Sequence, residues 1–254
     1  MHRVKRPEVS PLIVSVSGAI ELSTTAITSI RSGILEPEGA FARFAGTCHT
    51  LSPQWFDKKQ LEAHEAFWNF DNEAQSGKIS GELAWFQIGV YSPAVAILSV
   101  PLIVHAGVTT LEQLGSYLVS SVRVQVPPSG KPVNQKVVHR LVDQFAALVD
   151  FDSDIQVEAK LISRACPKQW ESVANSWCEK RHTEPFKVLD VSLSISHLVS
   201  DDRWSFRSAR SACSAVFSVP EWSPSVASTI VILMIEAGRA AGINETVSVD
   251  VEML

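Results

Sequence analysis

Cysteine is scarce in this chain and never closely paired. Cys48, Cys166, Cys178 and Cys213 are the four present, and their intervals do not repeat. That argues against a disulfide scaffold and for reduced thiols in a cytoplasm-like compartment. Cys178 and His182, with Cys166 upstream, lack the fourth ligand and the close cysteine pair of a structural zinc site, so no metal is expected. Long apolar runs are also missing. The longest, Ala94 to Val104, contains Pro101 and is too short to span a bilayer. His2, Arg3, Lys5 and Arg6 do not lead into the apolar stretch of a secretory leader. Charge is sparse, at 19% of residues and a net −5, so no overall field draws the molecule toward nucleic acid or anionic lipid. There is no Gly-x-Ser-x-Gly, phosphate loop or dinucleotide fingerprint, and no cofactor is expected. The expected location is cytoplasmic, or within a particle assembled there, with no membrane partner.

What is present suits an ordered globular protein. Hydrophobic residues make up 46% of 254, enough for a sizeable core. Clean alternation marks strands at Leu12 to Val16, Ile155 to Leu161, Leu189 to Val199 and Val247 to Met253. Ala40 to Leu51 also reads as a strand. So do Ile79 to Tyr91 and Ala94 to His105, the last apolar on both faces as a central strand would be. Ser23 to Gly39, rich in Ser, Thr, Gly and Pro, reads as a long loop with room for one helical turn.

Helix signals fall at Ser52-Pro53, running to about Asn72, and at Thr109 with Glu112, running to about Ser121. Others lie at 133–149, from Pro167 to about Lys180, and from Ser223-Pro224 to Gly242. Glu62, His64 and Glu65 fall on the first of these without metalloprotease spacing and read as surface. The seven tryptophans are scattered, which suits core and contact residues better than a stacking platform. Together these signals predict an α+β fold: a mixed, largely antiparallel sheet with helices packed on one face. The tandem prolines in 127–132 suggest a linker between an N-terminal α+β half, residues 1–126, and a C-terminal α+β half, residues 133–254, unless the two form one continuous domain.

Residues 188–217 offer the strongest hint of chemistry. His197 closes the apolar row of a strand, Ser200 can cap a helix, and Asp201 and Asp202 suit its first turn, with the helix running to about Phe217. His197-Leu-Val-Ser-Asp201, within Ser196 to Ser205, resembles the His-x-x-x-Asp motif of the chloramphenicol acetyltransferase and condensation-domain superfamily. That resemblance implies an acyltransferase in which His197 is the general base and Asp201 orders the loop. The plainer reading, preferred here, is a core histidine satisfied by backbone and followed by an acidic helix start.

Arg203, Arg207 and Arg210 would form one basic stripe on that helix, able to grip an anion or a nucleic-acid backbone, or to pair locally with Asp201 and Asp202. Arg3, Lys5 and Arg6 make a basic arm that could touch nucleic acid or serve only solubility. With no secure catalytic constellation, the sequence is read as a non-enzymatic structural or assembly subunit of coat, tube or shell type. It would self-associate, and the basic arm could hold nucleic acid. Acyl transfer by His197 is the alternative.

Overall fold

Leu12, Val14 and Val16 alternate with Ile13, Ser15 and Ser17, and the first strand, β1 (Ser10–Leu22), buries the former row completely. The computed structural model describes residues 10–35, 37–55, 61–69, 77–90, 93–128, 155–164, 167–179, 186–196 and 210–254. After β1 come α1 (Thr24–Arg31), α2 (Pro37–Trp55), β2 (Leu61–Trp68), β3 (Lys78–Val90), α3 (Pro93–Glu112) and β4 (Gly115–Val126). Beyond 128 the described elements are β5 (Ile155–Ser163), α4 (Pro167–Glu179), β6 (Lys187–Ser196), β7 (Arg210–Val219), α5 (Pro224–Ala240) and β8 (Val247–Met253).

The strands form one eight-stranded sheet in the order β2-β3-β1-β4-β8-β5-β7-β6, antiparallel at every pairing. The α+β expectation therefore holds. Strands β1 to β4 lie in the order 2-3-1-4, and β5 to β8 repeat it as 6-7-5-8. Each set is a βαββαβ arrangement, in which a strand inserts between two that a helix connects. The sets meet where β4 pairs with β8, with Val122 opposite Val251 and Val124 opposite Val249.

Helices α2, α3, α5 and α4 pack side by side in that order as one layer against the sheet. Between the layers lies one continuous apolar core. Phe44, Ile97, Val104, Trp170 and Ile230 enter it from the helices, and Phe86, Ile88, Leu161 and Phe217 from the strands. Each such side chain contributes about 1.5–3 kcal/mol by leaving water.

Several helix boundaries follow the sequence signals. Ser223 Oγ accepts from Val226 N at 3.3 Å with Pro224 in the first turn, and Gly242 takes the left-handed φ of 81° just past the end of α5. The structure corrects other expectations. Ala94 to His105 is part of helix α3, apolar all round because α2 and α5 flank it and the sheet lies beneath. Ala40 to Leu51 is helix α2, whose buried Ala40, Phe44 and Cys48 recur every fourth residue.

The expected 52–72 helix is the end of α2 followed by β2, where buried Ala66 and Trp68 alternate with exposed Glu65 and Phe67. The one helical turn expected within Ser23 to Gly39 is the eight-residue α1, capped by Ser23 Oγ accepting from Ala26 N at 3.1 Å. Thr109 and Glu112 end a helix rather than start one, and β4 follows at once. The helix expected through Phe217 is instead β7 from Arg210 onward, with Cys213, Ala215 and Phe217 on its buried row. The 133–149 helix lies outside the described residues.

Candidate functional site

The sheet face opposite the helix layer, here the far face, carries side chains that the core does not use. One register line crosses all eight strands: Phe67, Trp85, Ser15, Arg123, Asp250, Lys160, Ser214 and Ser192 stand opposite one another in turn. The next line contains Ile13, Gln125, Ser248, Ile162 and Ala212, all buried, with Gln125 only 1% exposed.

At the centre of the first line, Arg123 donates from Nε (3.0 Å) and Nη2 (2.5 Å) to Asp250 Oδ2. The pair bridges β4 and β8, the seam between the two βαββαβ sets. The two side chains are 41% and 23% exposed, so solvent screening limits the pair to about 1 kcal/mol. Lys160 Nζ stands 3.8 Å from Glu158 Oε1, and Ser15 Oγ donates to Glu82 Oε2 at 2.8 Å. Among the described side chains of this face, Glu21, Glu65, Glu82, Glu158, Asp190, Asp250 and Glu252 outnumber Lys78, Arg123, Lys160 and Lys187, so that set is acidic.

At the β2 end of the line, Phe67 and Trp85 stack with ring centroids 6.3 Å apart and planes 24° from parallel. Phe67 is 39% exposed. Farther along β1, β3 and β4 the face opens into a groove of about 650 Å³ lined by Ala19, Glu21, Lys78, Ser80, Ser116 and Leu118, among others.

A second polar cluster locks the seam from the loop side. Arg239, near the end of α5, donates from Nη1 to Glu245 O at 2.7 Å and to Ile243 O, and from Nη2 to Pro127 O at 3.0 Å. Burial pushes its guanidinium down to about 10, with Glu236 and Glu245 opposing the shift. The Glu245 carboxylate accepts from Ser163 Oγ and from Arg164 N (2.5 Å), fixing the end of β5. All three acceptors of Arg239 are backbone carbonyls, so the cluster serves the fold.

The residues singled out from sequence lie mostly elsewhere. His197, Asp201, Arg203 and Arg207, with Arg3, Lys5 and Arg6, fall outside the described residues. The backbone of Arg210 opens β7 opposite Ser196. Cys166 and His182 are likewise outside, and among the described residues no group of three His, Cys, Asp or Glu side chains is placed to hold a metal. No described helix is long and apolar enough to cross a membrane.

Sequence reasoning missed the far-face aromatics. Trp68, Trp170 and Trp177 are core residues, but Trp85 sits opposite to buried Phe86 and Ile88. Counting alternate positions within Ile79 to Tyr91 would have found it. No protein-family model matches the chain, and no curated protein matches it either.

Proposed function

We propose that this chain is a non-enzymatic assembly subunit that continues its sheet into a second copy through the edge strand β6. The observation that carries the reading is β6 itself. It ends the order of the described strands, and Leu189 and Leu193 on it are 45% and 48% exposed. An edge strand bearing large apolar side chains is a ready template for another strand. In an antiparallel pairing of β6 with its own copy about Val191, Leu189 of one copy lies opposite Leu193 of the other.

The chain already uses this kind of contact within itself, where β4 and β8 join two four-stranded sets edge to edge. Sedimentation velocity over a wide concentration range tests the reading. The wild type sediments as a dimer or larger species. Leu193→Lys weakens that association at least about tenfold, since each symmetric contact loses its apolar burial twice. Because Leu193 is already half-exposed, the variant keeps the wild-type melting temperature. A wild type that sediments as a sharp monomer at every concentration overturns the reading.

A further inference from the structure

One buried line on the far face has no described element above it. Ile13, Gln125, Ser248, Ile162 and Ala212 come from five neighbouring strands and are each 1–6% exposed. Two residues along β4 and β8, the Arg123 and Asp250 side chains are 41% and 23% exposed. Ile13, Ile162 and Ala212 also stand outside the apolar core between the layers. The described helices that pack on the sheet lie on its other face. Strand side chains stand upright from a sheet, so a bare face leaves them wet. This burial exists within a single chain, so the chain itself supplies the cover.

We propose that residues 133–149 of the same chain pack across this line as an amphipathic helix. The described strand ends and the helix layer support that occupant. β4 and β5 run parallel with β8 between them, so the chain from Pro128 to Ile155 must pass from one end of the sheet to the other. On the helix side, α3 and α5 already fill the layer over β4, β8 and β5. A far-face path gives this connection the opposite hand to β3–α3–β4. The usual hand would need a seat on the sheet that α3 and α5 already hold.

The sequence agrees. Val138, Leu141, Val142, Phe145 and Leu148 share one side of a helix, and Lys136 and Asp143 the other. Such a helix is about 25 Å long, and five strands span about 19 Å. The other undescribed stretches suit the line poorly. Residues 197–209 carry Asp201, Asp202, Arg203 and Arg207, residues 1–9 carry Arg3, Lys5 and Arg6, and the rest are at most seven residues long. The covered stretch is then barred to nucleic acid and to other copies, which are left the strand edges and the Phe67–Trp85 end. The proposal is independent of the assembly reading.

The test uses the full chain. A benzophenone amino acid replaces Lys160, which is partly exposed and two residues from Ile162 on the same face. The protein is mixed with ¹⁵N-labelled wild type and irradiated. The expected product joins position 160 to a peptide from 133–149 of the same, unlabelled chain. A second measurement needs no crosslink. In Ser248→Cys, position 248 resists iodoacetamide, as a residue 2% exposed should. Adding Phe145→Asp raises alkylation there at least about tenfold while the far-UV spectrum stays folded, and adding Asp143→Ala leaves it unchanged.

Crosslinks to 1–9 or 197–209, crosslinks only between chains, or none at all overturn the proposal. So does a position 248 that reacts like an exposed thiol, or one indifferent to Phe145→Asp. Should Phe145→Asp unfold the chain, the crosslink alone decides. Each of these failures leaves the assembly reading standing, and a monomeric wild type leaves this proposal standing.

Discussion

Arg239 shows how much one side chain can hold. Its guanidinium is the shared donor for Pro127, Ile243 and Glu245, so it ties the end of β4 to the turn between α5 and β8. Arg239→Met keeps the bulk of the stem but leaves three carbonyls without this donor. The expected cost is about 3 kcal/mol, seen as a fall in melting temperature of roughly 6–12 °C. A change within 2 °C would show that water replaces the guanidinium fully.

Cys48 makes a second residue-scale prediction. Burial lifts its thiol from an ordinary 9.0 to about 12. The folded state then keeps the proton while the unfolded chain loses it above pH 9. Stability is therefore whole below that pH and declines up to about pH 12, by at most about 1.4 kcal/mol per pH unit for this group. Urea titrations across pH 8 to 11 check this, and Cys48→Ala flattens that part of the slope. At pH 8 the folded thiol is expected to resist iodoacetamide, as a buried neutral thiol is a poor nucleophile.

Residue-level chemistry was the least legible part of the sequence. His197, Asp201 and the proposed basic stripe lie outside the described residues. The polar line that the fold assembles draws its members from eight strands with no common spacing. Ser15, Arg123, Asp250 and Lys160 become neighbours only through register.

At the scale of elements, two glycines in helices separate packing from propensity. A Cβ on Gly107 of α3 would lie 2.7 Å from the Phe86 ring, and that ring is backed by Phe44 with centroids 4.7 Å apart. Gly107→Ala therefore destabilises by about 1–3 kcal/mol through overpacking, despite alanine's better helix propensity. Gly46 of α2 has open space around the same position, and Gly46→Ala stabilises by about 0.5–1 kcal/mol. Thermal melts of both variants check the pair, and like-signed shifts would contradict the described seat of α3.

Elements were read correctly where apolar and polar positions alternate or recur cleanly, as in β5, α4 and β8, and where a strong cap marked the start, as in the largely buried α5. Reading failed for α3, where neighbours on most sides erase the helical period, and for β2, where Phe67 on the solvent side broke the alternation. It failed again for α2. There Phe41, exposed beside buried Ala40 and Phe44, suggested a two-residue repeat that the helix does not have.

At the scale of the molecule, the α+β class was legible because several strands alternate cleanly and the helix caps are strong. The repetition of one βαββαβ order on both sides of the seam was not, since corresponding strands share pattern but not residues: Trp85 and Ser214 occupy matching places, as do Phe67 and Ser192. That difference leaves the two ends of the far face unlike, one aromatic and acidic, the other rich in serine. An assembly subunit can use such asymmetry to make different contacts at its two ends.

The account rests on the β6 edge, and sedimentation velocity of the wild type beside Leu193→Lys tests it most directly. A concentration-dependent dimer or larger species that the substitution dissociates, with the melting temperature unchanged, is the predicted result. A wild type that stays monomeric at all concentrations, or an assembly indifferent to residue 193, contradicts it.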